Sequence, residues 1–317
     1  MPLTEHTSAP PWPGDTAAGR FAATISTESP DGCAIALLGL PDDTGVRMNN
    51  GRTGAAGGPK AFRAALARYG AAEPGCGALP RVFDAGDVMP TGSLEKTHER
   101  VTEATAALLE RGLFPIAIGG GHDLTFPFVR AVAAKHPKVA GIYFDAHLDV
   151  RETPGSGMPF RRLVEDCGVT ALHLHGFRPL VNSREHLEWF RNHGGRTHRD
   201  GSPVRLPVGA SSLATRGPVA SKLAPTRRGK TDKGAFFVSF DLDVLDAAHA
   251  PGVSALNPSG WSVREAEAWV LACGADPRVR CFDLMELNPA YDTDSRTARV
   301  AAHLFLTFLQ GFAQRKS

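Results

Sequence analysis

The sequence predicts an α/β protein of three layers, α/β/α, around a mostly parallel central sheet. Short apolar runs without polar alternation mark strands covered on both faces. Helical stretches lie between several of these runs, and such repeated alternation implies parallel strands joined by crossovers. Acids and histidines follow the runs directly, which fits a sheet whose ligands gather beyond the carboxyl ends of its strands.

Residues 1–30 mix Pro, Gly, Ser, Thr and Ala without periodicity and read as a flexible N-terminal arm. Residues 31–317 read as one domain, because α/β sheet proteins often reach this length around a single core. Strands are expected at Cys33–Leu40, Val82–Val88, Phe114–Gly119, Val139–Asp145, Val169–Gly176, Ala235–Val244 and Val279–Leu287. Helices are expected at Pro59–Tyr69, Leu94–Arg111, Phe126–His136, Ser183–His193, Val263–Cys273 and Thr297–Phe312. The stretch 197–233 is rich in Ser, Pro, Gly, Arg and Lys and reads as a surface insertion.

Composition narrows the function. Hydrophobic residues make up 42% and charged residues 21%, a globular balance with enough apolar surface for a substantial core. A formal net charge of +2 lacks the basic excess that phosphate tracking needs, so no nucleic-acid partner is expected. Cys33, Cys76, Cys167, Cys273 and Cys281 are odd in number and never form C-x-x-C, which disfavours a disulfide framework or a thiolate zinc site and fits the cytoplasm. No window is apolar enough for a membrane span, and the N-terminus lacks the basic start and apolar run of a signal peptide.

The chemistry concentrates behind three strands. Gly141–Phe144 runs into Asp145-Ala146-His147-Leu148-Asp149, whose ligands at i, i+2 and i+4 share a face if the backbone stays extended. Ala235–Phe240 ends in Asp241-Leu242-Asp243, and a third strand ends in Gly119-Gly120-Gly121-His122-Asp123. Alone, a D-x-D is usually a solvated turn or a helix cap, and a glycine run before His122 is a tight turn with a satisfied histidine. Together they put carboxylates at one crevice, a placement that is costly unless divalent cations compensate it. An Asp/His set without thiolates suits Mn2+, and a bridged pair of ions would lower the pKa of a shared water to near neutrality.

These residues resemble the ureohydrolase family of arginases and agmatinases, through the three motifs above together with Ala250-Pro251-Gly252 and Asp283-Leu284-Met285-Glu286-Leu287-Asn288-Pro289. The resemblance runs from about Cys33 to the C-terminus and implies an arginase-like sheet of about eight strands. It implies two Mn2+ per subunit, one held by His122, Asp145, Asp149 and Asp241, the other by Asp145, His147, Asp241 and Asp243, with Asp145 and Asp241 bridging. It also implies that Glu286 pairs with substrate amidine nitrogens, and that the protein is a homo-oligomer acting on a small molecule. For Glu286 the alternative is a helix-capping acid.

Within that family the sequence is most similar to the formimidoylglutamase branch, in Gly45–Arg52, Asp149–Arg151, Gly155–Arg161 and Asp292–Arg299. That branch releases L-glutamate and formamide from N-formimidoyl-L-glutamate. Arg151 stands where arginine-type binding uses an asparagine, and a guanidinium there favours a carboxylate close to the metals. The alternative for Arg151 is a surface pair with Glu152. Arg52, Arg178 and Arg296 are candidates for a second carboxylate contact. The segment Arg151–Leu163 lacks the histidine that relays protons in arginases, which leaves Asp149, Glu286 or water to protonate the leaving amine. Three other readings stay open: a guanidino acid as substrate with urea released, a one-ion zinc amidohydrolase, and a non-enzymatic metal-stabilised assembly.

Overall fold

The apolar runs form the interior of one sheet. The structure, a computed structural model, describes residues 5–14, 16–70, 78–198, 200–202, 204–207 and 234–315. Its strands are β1 (Thr7–Ser8), β2 (Ile35–Leu40), β3 (Val82–Val88), β4 (Phe114–Gly119), β5 (Ala140–Phe144), β6 (Leu172–His175), β7 (Gly195–His198), β8 (Phe236–Asp241) and β9 (Val279–Met285). They lie in the order β1-β3-β2-β4-β9-β8-β5-β6-β7, and only the β1–β3 pair is antiparallel.

The seven expected strands are all present, and the two unexpected ones are short edges. β7 was hidden because Thr197 and His198 fall in the stretch 197–233 that reads as an insertion. Residues 208–233 of that stretch lie outside the described residues.

Helices α1 (Thr44–Met48), α2 (Gly58–Leu66), α3 (Leu94–Glu110), α4 (Thr125–Lys135), α5 (Pro159–Cys167), α6 (Arg184–Asn192), α7 (Val263–Ala275) and α8 (Arg296–Ala313) cover the sheet. Alternate strand residues point to opposite faces. Ile35, Leu37, Ile142, Phe144, Val238 and Phe240 meet α2, α7 and α8 in one core, whereas Ala36, Leu38, Tyr143 and Phe237 meet α3, α4, α5 and α6 in the other. Local signals agree with the helices: Ser262 and Glu265 form a reciprocal capping box at α7, and Ser183 caps α6 by accepting from His186 N at 3.1 Å. Among the described residues no helix is long and apolar enough to cross a membrane.

The N-terminal residues depart from the loose arm expected over 1–30. Thr7 and Ser8 pair with Val88 and Asp87, Phe21 is buried against Phe305, and Trp12 Nε1 donates to Asp84 Oδ2 at 2.9 Å. Two aromatic anchors and a strand edge outweigh a polar composition that offers no periodicity.

Asp84 also holds a fully buried guanidinium. Arg63 Nε and Nη2 donate to Asp84 at 2.8 and 2.9 Å, and Nη1 donates to Asp87 at 2.6 Å. The triad ties α2 to β3 and, through Asp84, to the N-terminal residues. Replacing Arg63 by alanine leaves two carboxylates without their partner, a loss expected at about 3–5 kcal/mol. Urea denaturation of the two proteins measures it, and a loss below about 1 kcal/mol would show that the acids find other partners.

Candidate metal centre and substrate pocket

Four adjacent strands, β4, β9, β8 and β5, deliver the site. His122 begins the turn His122–Leu124 behind β4, Asp145, His147 and Asp149 follow β5, Asp241 ends β8, Asp243 lies in the turn Leu242–Val244, and Glu286 follows β9. The glycines before His122 permit close approach: a Cβ on Gly120 would lie 1.9 Å from the carbonyl oxygen of Asp42. The oxygen of Gly120 in turn accepts from Glu286 N at 2.9 Å, joining the β4 and β9 ends.

The spacing of two works through turns. Asp145 Oδ1 accepts from His147 N at 2.6 Å and Asp241 Oδ1 accepts from Asp243 N at 2.7 Å, so each strand-terminal aspartate closes an Asx turn over the next ligand. β5 therefore stops at Phe144, and the extended-backbone picture of the Asp145–Asp149 triplet is corrected. Asp149 and Glu286 sit in the left-handed region, with φ of 48° and 65°, strain of roughly 1–3 kcal/mol each that surrounding contacts must offset. Part of that support is visible. Asn182 accepts from Leu148 N and donates to Ala146 O, both at 2.9 Å, and Tyr143 donates to Leu148 O at 3.0 Å.

The side chains converge in two groups whose ligand atoms lie within 4.8 Å of one another: His122, Asp145, Asp149 and Asp241, and Asp145, His147 and Asp243. All six expected ligands are brought together, with Asp145 in both groups. Asp241, expected to bridge as well, falls in the first group only. Two groups are one more than the single-ion zinc alternative uses.

Donors and acceptors do not balance. His122 Nδ1 faces Asp149 Oδ2 at 2.9 Å, Asp241 Oδ2 at 3.0 Å and Asp145 Oδ2 at 3.3 Å, while His147 Nδ1 faces Asp243 Oδ2 at 3.0 Å and Asp145 Oδ1 at 3.3 Å. One ring nitrogen satisfies at most one of these oxygens. Asp145 Oδ2 and Asp243 Oδ1 are buried with no hydrogen-bond partner among the described residues. Hard cations would resolve this excess of oxygen lone pairs, so the residues present fit two divalent ions.

The electrostatics agree. Burial, then Asp149 and Asp243, lifts Asp145 to about 6, and burial followed by Asp243 pushes Asp241 well above the ordinary carboxylate range. Burial alone would depress His122, but the carboxylates around it raise it well above its usual value. His147 is raised chiefly by Asp243. Burial also acts to raise Asp243, yet His147 holds it below the ordinary value.

The far side of His122 is fixed separately. Its Nε2 lies 3.1 Å from Ser239 Oγ, which donates to Asp283 Oδ1 at 2.6 Å, and Thr125 donates to Asp283 Oδ2 at 3.2 Å. Because Ser239 spends its proton on Asp283, it accepts from Nε2–H and leaves Nδ1 turned toward the aspartates. Phe160 from α5, a helix that the sequence reading passed over, packs edge-on against the His122 ring at 5.3 Å.

A cavity of about 310 Å³ opens on this cluster, lined by Asn49, Asn50, Gly51, His147, Asp149, Arg151, Ser156, Asp241, Asp243, Ser254, Ala255 and Glu286. Glu286 is buried at its wall, accepts from His122 N at 2.8 Å and from Ser254 Oγ, and is lifted by burial to about 8. It is no helix cap. Arg151 reaches the cavity and donates to Asn49 Oδ1, not to Glu152.

The 33–310 stretch matches the model of the arginase family. The chain belongs to that family. Among relatives of this arginase-family chain, a formimidoylglutamase of Ralstonia nicotianae is 36% identical over 90% of this chain and 87% of its own. A crystal structure of Trypanosoma cruzi formiminoglutamase with Mn2+ superposes with a TM-score of 0.81 at 31% identity, covering 95% of this chain and 100% of that one. The formimidoylglutamase of Bacillus subtilis gives 0.80 at 26%, covering 94% and 93%.

Three arginines proposed from the sequence do not line the cavity. Arg52 donates to the carbonyls of Pro251, Val253 and Ser254 and stacks on Tyr291; Arg178 donates to Ser259 O and Asp200; Arg296 donates to Ala248 O. Each spends at least one donor on backbone or on a surface acid, and none of the three is brought to the cavity with Arg151. Asn49, Ser156 and Ser254 were not singled out, although Asn49 and Ser156 lie inside the motifs Gly45–Arg52 and Gly155–Arg161.

Asp145→Ala is expected to abolish uptake of two ions, and Ser239→Ala to weaken it about 10–100-fold, measured by metal analysis after dialysis against Mn2+. Full loading of Asp145→Ala would refute the site. The pH dependence has a definite sign. Asp145, raised from 3.8 to about 6, and Glu286, raised from 4.5 to about 8, stabilise the metal-free fold at low pH and lose that contribution as pH rises through their folded values. The Tm gained on adding Mn2+ should therefore widen between pH 5 and 8, as about four scans would reveal; a constant gain would contradict this.

Proposed function

We propose that this chain hydrolyses N-formimidoyl-L-glutamate to L-glutamate and formamide with two Mn2+ per subunit, in the cytoplasm and as a homo-oligomer. The observation that carries the substrate is the placement of Arg151, the one guanidinium lining the cavity among the described residues, two positions beyond the ligand Asp149. A charged fork so close to the ligands suits a substrate whose carboxylate lies few bonds from its reactive carbon. In formimidoylglutamate that carbon hangs on the α-nitrogen, whereas decarboxylated guanidines offer Arg151 nothing to bind. The named relatives support the same choice.

His122, Asp145, His147, Asp149, Asp241 and Asp243 would hold the ions. When bound, a pair of divalent ions acidifies water and offsets negative charge developing on the substrate. The chain's own groups do the positioning. Both Glu286 oxygens already accept from fixed donors, His122 N and Ser254 Oγ, so the carboxylate is aimed before substrate arrives and its remaining lone pairs can accept amidine N–H groups. Arg151 anchors the other end of the molecule. Water adds to the formimidoyl carbon, the bond to the glutamate nitrogen breaks, and that nitrogen leaves as an amine after gaining a proton. With no histidine between Arg151 and Leu163, the proton comes from Asp149 or Glu286, both of which line the cavity, or from water.

The free cysteines Cys33, Cys167, Cys273 and Cys281 are consistent with a reducing compartment. Manganese reconstitution followed by product analysis tests the reaction: formamide from formimidoylglutamate is expected, and urea from a guanidino acid with no formamide would move the substrate to that alternative. Arg151→Ala should raise KM about 10–100-fold with a smaller change in kcat. Equal turnover of agmatine and formimidoylglutamate by the native enzyme would overturn the assignment.

A further inference from the structure

We infer that Asn49 is a positioning residue that aims Arg151 and Ser156 as two donors toward the substrate carboxylate. The inference rests on the reading of the substrate as a carboxylate-bearing amidine and names what makes its recognition rigid. Arg151 is exposed and sits on a loop, where ordering a long side chain costs conformational entropy. Something must hold it.

Asn49 sits directly after α1, with its N–H on the oxygens of Gly45 and Val46 at 3.1 Å. Its Oδ1 accepts from Arg151 Nη1, and its Nδ2 donates to Ser156 Oγ at 3.2 Å. This orientation is forced, because a guanidinium has no acceptor and only the amide oxygen can face it. Two consequences follow. Ser156 Oγ accepts a hydrogen bond from the amide, so its own O–H remains free to donate into the cavity. Arg151 is pinned through Nη1 alone, and among the described residues Nε and Nη2 hold no hydrogen bond, leaving one edge of the fork open for a bidentate carboxylate.

The loop is built to the same end. Arg151 N donates to Gly157 O at 2.8 Å and Ser156 N donates to Gly45 O at 3.0 Å, which sews 151–157 to the α1 segment. A Cβ on Gly157 would lie 2.9 Å from Arg151 Cδ and 3.0 Å from Nε, so the arginine shaft lies flat across this glycine. Among the described residues, the side chain of Asn49 is the one that hydrogen-bonds both donor side chains.

The test uses the manganese-loaded enzyme and compares N-formimidoyl-L-glutamate with N-methylformamidine, which keeps the scissile group and lacks any carboxylate. Asn49→Ala should raise KM for the acid about tenfold with less change in kcat, so that the kcat/KM preference for the acid over the plain amidine falls about tenfold. Asn49→Asp, which fits the same space but neutralises Arg151 and cannot donate to Ser156, should lower that preference at least as far and keeps the inference testable if the alanine variant does not fold. Adding Asn49→Ala to Arg151→Ala should cost less than Asn49→Ala costs alone. An equal loss on both substrates, or no loss on either, would overturn the inference. If the native enzyme turns over a guanidino acid instead, the formimidoyl reading fails and the same ratio is taken between that acid and its decarboxylated counterpart. No turnover of any carboxylate-bearing substrate would overturn both.

Discussion

Asp145, Asp149, Asp241 and Asp243 converge on two imidazoles at the carboxyl ends of adjacent strands, and carboxylates in so small a volume repel one another unless cations stand between them. Much of the surrounding structure serves to hold that arrangement. β5 and β8 are buried along their whole lengths, so the cores on both faces prevent the aspartates from relaxing apart. The Asx turns at Asp145 and Asp241 take one oxygen of each for the backbone, which fixes the direction of the other. Asp283, itself lifted to about 6 chiefly by burial, is a further acid placed beneath the cluster to orient Ser239 and, through it, His122. The centre is thus specified by hydrogen bonds before any ion is considered.

The strands and the ligands were legible because both leave a local signature: an apolar run buried on two faces is nearly continuous, and acids behind it stand out against it. What is not local was not legible. Ligands from β4, β5 and β8 meet because β9 and β8 insert between β4 and β5, an order that no spacing in the chain encodes. Local geometry was also misread where a turn replaced a strand, since Asp-x-His has the same spacing in both and only the Asx hydrogen bond separates them. α5 was not expected although its nine residues, with Phe160 and Leu163 three apart on the buried face, carry a helical spacing as long as that of α2 and α6; it follows directly on a motif-rich loop.

Arginines show the limit most clearly. Arg52, Arg151, Arg178 and Arg296 all lie in or near motifs, and sequence alone cannot rank them, because their long side chains reach whatever acceptors the tertiary fold supplies. Three find carbonyls or a surface acid, and one finds the metal cavity. Arg63, which no motif marked, became the buried hub that joins α2, β3 and the N-terminal residues. A guanidinium is read from its acceptors, and those come from distant parts of the chain.

Chemistry and recognition are therefore held by different kinds of support. The candidate metal ligands stand at or just beyond strand ends, braced by two cores and by Ser239, Thr125 and Asp283. Arg151 and Ser156 stand on a loop that closes on itself through Gly157 and binds the α1 segment through Gly45 and Asn49, with no strand hydrogen bond of its own at those residues. Substitution in the loop can change which end group is gripped while the ligand turns stay in place, whereas substitution at a strand end disturbs both cores. Such a division lets one metal centre serve substrates that share a scissile carbon–nitrogen bond and differ beyond it. In this chain the loop presents a guanidinium, which can only donate, and a hydroxyl whose O–H can donate beside it, and that pair is complementary to an anion.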